Sequence, residues 1–407
     1  MAPSPAAPMG RFRLESAFVL LGMAIAALSP FLPLLLRERG LQPDAIGIVL
    51  AVVAASGLIT TGLLGHLGDA RLGRVPMLRW TSVAAAITVT GFLIGAERFL
   101  LLLVLAALFG AASQSVHPLL DAVALDELEL RGRGDYGRVR LWASASFAAA
   151  VLGFGFLFER TSLELLIPAF ALASLACLIP LAGWNRAVRA AEHERPAFLQ
   201  TVAQVATVAP RVPLFLASVL LINTAVAGTL HFLPLRMDDV GSGLVLIGLG
   251  AAVAAVLEIP VMLSTGRLAR IAGPSAVYLL GCLIYLACFL AFLATDDPTL
   301  ISVVWGVSGA AYALLHVGSV IVIAVLVPPT SRGLGQGLLQ TVAAGVAPIA
   351  GAWAGGALFA ALGSGALFTA ATGLATTATA VAWFALRPTA AWTAAASDLS
   401  EPRGDAA

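Results

Sequence analysis

The tetrapeptide FLPL occupies residues 31–34 and recurs at 232–235, an offset of 201 residues. Ile46-Gly47 and Ile247-Gly248 share that offset, as do the first and third residues of Gly65-His66-Leu67 and Gly266-Arg267-Leu268. One match of this size arises by chance. Three at one offset, at corresponding places in corresponding apolar runs, predict two copies of one unit in parallel orientation.

The runs that carry the repeat are long and apolar. The 407-residue chain is 60% hydrophobic and 11% charged, whereas a soluble domain carries about 25% charged residues. Apolar runs of ~20 residues recur throughout, the length a helix needs to cross a bilayer. Spans are expected at 14–36, 44–66, 77–96, 98–120, 140–158, 164–184, 213–235, 243–265, 275–294, 299–327, 334–360 and 363–386. The expected fold is all-α: a polytopic membrane protein of twelve transmembrane helices in two six-helix parallel repeats. The bundles would span 14–184 and 213–386, joined by a linker at 185–212, with tails at 1–13 and 387–407. The linker admits one amphipathic surface helix. The C-terminal tail, rich in Ala, Ser and Asp, is expected to be disordered.

Net charge is +1, with no basic excess to attract nucleic acid, and all 23 basic residues are arginine. An even number of spans puts both termini on one side. With the N-terminus inside, outer loops hold only Arg37, Arg39, Arg98, Arg160 and Arg236. The positive-inside rule then predicts cytoplasmic termini in the cell membrane. The N-terminal MAPSPAAPMGRFR leads into a run too long for a signal-peptide core and reads as a tail. Cys177, Cys282 and Cys288 lie inside apolar runs at spacings that suit neither a metal site nor a disulfide framework.

A charge at mid-bilayer costs at least ~2.5–3.5 kcal/mol on insertion scales, so embedded charges mark function. Asp121, Arg140 and Glu258 are the candidates, with His117, His231 and His316 as polar companions. Ser113, His117 and Asp121 are four apart and form one stripe on span four. The alternative is a helix-end aspartate leaving the membrane, since Asp126, Glu127 and Glu129 follow. Ser308, Tyr312 and His316 form a similar stripe on span ten, and His316 trails His117 by 199 residues. Glu258 lies in AAVAAVLEIPVM among small residues, ahead of Pro260. A carboxyl there can take up and release a proton in each cycle; the alternative is a structural carboxyl bonded to a hydroxyl. Arg140, Ser144 and Phe147 share one face of span five, Arg138 and Trp142 another. Arg140 can pair with Asp121 or fork onto a substrate carboxylate; Arg138 reads as an inner-leaflet anchor.

The stretch around Arg140, DYGRVRLWASASF at 135–147, resembles the start of span five in the nutrient:proton symporter branch of the major facilitator superfamily. That branch includes 3-phenylpropionate, nucleoside and, more remotely, lactose permeases. LLDAVALD before it, the Glu-Ile-Pro of span eight and Tyr312 with His316 agree with the likeness; Ala143 stands where the branch usually has glycine. The resemblance implies alternating access around a site between the halves, with Asp121 and Arg140 gripping the solute. The span-ten carboxylate that lactose permease uses for proton transfer has no counterpart near His316, which leaves Glu258 as carrier. GHLGDARLGRV at 65–75 looks like the superfamily's loop signature, a latch between the halves. Gly65 and Asp69 fit it; Arg71, Gly73 and Arg74 arrive one residue late.

The expectation is a proton-coupled symporter of a small organic solute, acting as a monomer. Asp121, Arg140, His117, Trp142, Tyr312 and His316 are the substrate-binding candidates; Glu258 and Asp121 are those for proton coupling. The alternatives are proton-driven efflux and a non-transporting receptor on the same scaffold. The sequence carries no P-loop, nucleophile elbow, dinucleotide fingerprint or metal-binding pair, so no cofactor, metal or catalytic residue is assigned and an enzyme is not expected.

Overall fold

The computed structural model describes residues 11–67, 73–130, 136–183 and 209–387. Asp69 and Arg71, most of the expected linker, and nearly all of both expected tails lie outside the described residues. Those described form helices and turns, with no strand among them.

The helices in chain order are α1 (Arg11–Leu28), α2 (Leu32–Glu38), α3 (Pro43–Leu67), α4 (Arg74–Thr88), α5 (Phe99–Leu130), α6 (Tyr136–Arg160) and α7 (Leu166–Ala176). They continue with α8 (Val212–Asp239), α9 (Leu244–Ala272), α10 (Pro274–Ala294), α11 (Pro298–Leu326), α12 (Arg332–Gln340) and α13 (Ala347–Ala385). Among the described residues, nine helical stretches are long and apolar enough to cross a membrane. Three further crossings account for the expected twelve. The third span is α4 finished by a 3-10 turn, Val89–Leu93, and the sixth is α7 continued by turns to residue 183. The last stretch, Arg332–Ala385, is two crossings joined at Gly363.

Gly363 has φ 80°, a conformation open to glycine without the steric cost of a Cβ. Contacts with α8 show the chain reversing there. Gly351 lies against Thr224 and Gly228, and the Phe359 ring meets Phe232 at 5.8 Å, so the chain climbs along α8. It then returns, and the carbonyl of Ala378 accepts from Ser218 Oγ at 2.8 Å.

The two ends of each half lie together. Arg13 donates to the carbonyl of Ala182, and Arg211 donates to that of Arg387 at 3.0 Å. We call this the near face, and the opposite one the far face. On the far face the halves touch. An ideal Cβ on Gly248 of α9 would stand 2.7 Å from the Val151 carbonyl oxygen of α6, and one on Gly155 2.8 Å from that of Leu244. Between α3 and α13, Gly47 and Gly356 are as tight against backbone. Glu159 accepts from the amide of Val245 at 2.8 Å, capping the start of α9. Arg37 reaches across to Asp238 at 3.2 Å and Asp239 at 2.6 Å.

The main apolar core runs through both halves, from Phe31 and Leu35 to Phe232, Phe289 and Phe368. A second cluster, including Phe18, Leu78, Leu120 and Leu181, packs α1, α4 and α5 toward the near face of the first half.

Candidate functional site

Of the expected polar residues, His231 lies on α8; the others sit on four long helices: α5 and α6 in the first half, α9 and α11 in the second. Two of these helices carry an internal proline beside the polar group, Pro118 after His117 and Pro260 after Glu258. Proline has no N–H to give to the carbonyl four residues back, so Gln114 and Val256 lose their helical donors within otherwise continuous helices.

On α5, His117 Nε2 lies 3.8 Å from Asp121 Oδ2, one turn apart. His117 Nε2 and Asp121 Oδ1 are buried atoms with no hydrogen-bond partner. Leaving such atoms unmet costs about 1–3 kcal/mol each, so they are primed for a polar group from water or solute. Asp121 and Arg140 do not form the direct ion pair that adjacent helices allow. Tyr136, one turn before Arg140 on α6, interacts with both the carboxylate and the guanidinium. Tyr136 was not a candidate in the sequence, although its place four residues before Arg140 puts it on the same helix face.

The charge of Arg140 acts on His117 of its own half and on Glu258, Tyr312 and His316 of the other. Six expected residues, Arg140 itself and Asp121 through its contact with His117 included, are therefore gathered around one place between the halves. The Tyr312 and His316 rings stack nearly parallel, 12° apart with centroids 5.7 Å apart. Tyr312 is 40% exposed. The charge of Arg140 in the opposite half acts on it. Tyr285 of α10 lies behind this surface, out of a solute's reach. Its ring is fully buried, and its phenol interacts with Tyr312 and Glu258.

Trp142 stands apart from this group. Two residues beyond Arg140 it has turned about 200° around α6, and it is 48% exposed on that other side. Of the expected latch residues, Gly65, Gly73 and Arg74 are described. Gly65 belongs to α3. Gly73 turns the chain into α4 with φ 82°, and Arg74 forks onto Asp126 of α5 at 2.6 and 2.7 Å. That bond ties two helices of one half together. The three cysteines are buried and unbridged.

The arrangement offers a solute one cation, one carboxylate with an adjacent imidazole, a pair of stacked rings and a second carboxyl opposite the cation. Comparison with known proteins identifies the family. The profile of the MFS_1 like family matches residues 12–370. A maltose permease of Geobacillus stearothermophilus is 31% identical over 284 residues, which is 69% of this chain and 70% of that protein. The solved nucleoside transporter NupG superposes with a TM-score of 0.79 at 17% identity, covering 92% of this chain and 98% of that one. A bacterial homolog of the human lysosomal transporter Spinster, solved inward-facing and unoccupied, gives 0.63 at 14% identity over 96% of each chain. At these low identities the two structures speak for the fold, and the family match covers most of the chain. The chain belongs to the MFS_1 like family of the major facilitator superfamily of membrane transporters.

Proposed function

We propose that this transporter moves a small polyhydroxylated solute, of the sugar or nucleoside kind, together with a proton by alternating access. The observation that carries the reading is the reach of Arg140 across the interface, to Glu258, Tyr312 and His316 as well as to its own neighbour His117. The names of the relatives, a maltose permease and a nucleoside transporter, support the solute class.

Asp121, His117 and Arg140 bind solute hydroxyls, and Tyr312 with His316 supports the ring. Glu258 carries the proton. As a carboxylate it is held toward Arg140; once protonated it loses that attraction, and the loaded site can reorient. The bundles that rock are 14–184 and 213–386. The count of arginines in the loops supports cytoplasmic termini, which makes the far-face seam the external closure and opens the site toward the cytoplasm. The protein works as a monomer.

Wild-type protein in liposomes, with an acid exterior, should accumulate labelled maltose or uridine against its gradient. Glu258→Gln should lose that accumulation at least tenfold while still exchanging labelled for unlabelled solute. Accumulation by the mutant at the wild-type level defeats the coupling role. Absence of both uptake and exchange in the wild type, with either solute, defeats the solute class.

A further inference from the structure

The chain has four tyrosines, and two of them, Tyr278 and Tyr285, lie two turns apart on α10. Both are 1% exposed. Tyr278 shares a 3.1 Å hydrogen bond with Ser218. The hydroxyl of Tyr285 has no partner at all. Buried hydroxyls are bonded in the great majority of cases, and each exception asks for a reason. Packing is not the reason for this one. The ring already stacks on Phe289, 5.7 Å away and tilted 29°, and a phenylalanine would stack equally well without burying an idle O–H.

The surroundings supply a reason. The Tyr285 phenol interacts with Tyr312, Cys288 and Glu258. Helix α10 packs beside both α9, which bears Glu258, and α11, which bears Tyr312. The groups that act with Glu258 are thus Arg140 from α6, Tyr285 from α10 and Tyr312 from α11, with Cys288 next to Tyr285 and His316 stacked on Tyr312. One side offers a permanent cation; the other offers a neutral hydroxyl with a free lone pair and a free proton. We propose that Tyr285 is a positioning residue for Glu258, its hydroxyl receiving the Glu258 carboxyl once that carboxyl has gained a proton. The charged carboxylate faces Arg140. The neutral acid, no longer drawn there, turns and donates its O–H to the Tyr285 oxygen. The two positions match the two charge states of one transport cycle, and no bond beyond that to the proton is made or broken. The inference rests on the reading of Glu258 as the proton carrier.

Tyr285→Phe keeps the ring and removes only the hydroxyl. Solute exchange at saturating concentration should stay within twofold of wild type. The pH midpoint of proton-driven uptake should move down by about half to one unit, because the protonated acid has lost one hydrogen bond. In infrared spectra the carbonyl stretch of protonated Glu258, assigned by its loss in Glu258→Gln, should rise in frequency. A superposable pH profile and an unmoved stretch, in a wild type that does couple to protons, overturn the role of Tyr285 alone. A wild type whose uptake ignores the proton gradient overturns the reading of Glu258 and this inference with it. Should Tyr285→Phe not fold, the wild-type spectrum still decides: a stretch typical of an unbonded carboxylic acid rules the bond out, and one typical of a bonded acid supports it.

Discussion

Helices α6 and α9 meet twice along their length, on very different terms. At the far face Gly155 and Gly248 let the two backbones touch, with no room for a methyl group on either. Arg140 lies fifteen residues from Gly155, or about 22 Å down α6, and Glu258 lies ten residues from Gly248, about 15 Å down α9. There the same helices present opposite charges to each other across a gap, and both side chains keep partial exposure. Glycine closes a seam by removing side chains; charges hold a space by demanding solvent or solute. The difference between the two places makes the contact tight at one end and open at the other, and the proposed function puts the solute in the open part and the pivot at the glycines.

Filling the seam should have the largest effect. A side chain on Gly248 would meet the Val151 carbonyl, which belongs to backbone and cannot swing aside. Overpacking of this kind costs about 1–3 kcal/mol, which as a shift of the closed–open equilibrium is about five- to 150-fold. Gly248→Leu should therefore cut transport toward the upper end of that range. It should also raise the reactivity of a cysteine placed at Leu244 toward an impermeant maleimide. Normal transport with an unreactive Leu244→Cys would mean that the seam is not where the halves pivot.

The open part of the contact predicts a smaller loss of a different kind. A hydrogen bond to a charged group contributes about 1.5–3 kcal/mol, so Arg140→Gln should raise the KM for solute by about ten- to a hundredfold. Trp142→Phe, on the other side of α6, should change it less than twofold. Equal effects of the two substitutions would place the solute elsewhere on the helix. Exchanging Asp121 with Arg140 would test their pairing poorly, because Tyr136 interacts with both.

Much of this was legible before any coordinates. The cost of a buried charge singles out Asp121, Arg140 and Glu258 in a chain so poor in charge, and the 201-residue offset gives the doubled architecture. What the offset does not give is local geometry. The first FLPL follows Ser29-Pro30 and begins a separate helix, α2, after a break at residues 29–31. The second follows Leu230-His231 inside unbroken α8, where Pro234 is the one helix-breaking residue of that stretch. Pro30 and Pro33, three apart, remove two amide donors from one turn; a single proline is tolerated when its neighbours keep the ladder. The third and sixth spans end in tighter turns that an estimate from apolar length overlooks. Among the site residues, Tyr136 carried a signal, its four-residue spacing from Arg140. Tyr285 carried none. An aromatic in an apolar run reads as packing until its neighbours across two other helices are known.

The ion pairs at the mouth of the seam should matter least, and in a way that separates them from the glycines. Arg37 and its partners Asp238 and Asp239 lie at the ends of the two FLPL segments, and 37 and 238 are themselves related by the repeat offset. Their side chains are 29%, 48% and 40% exposed. Pairs so open to solvent contribute about 0–1 kcal/mol each, and salt screens them over ~8–10 Å. Glycine contact has no such sensitivity, because it is steric. Arg37→Glu should therefore raise far-face cysteine labelling by about two- to fivefold in dilute buffer. The increase should shrink toward nothing in molar salt, and adding Asp238→Arg should restore part of the closure. The Gly248→Leu increase should persist in salt. If both respond to salt alike, electrostatics rather than backbone contact holds the far face shut, and the pivot belongs at Arg37.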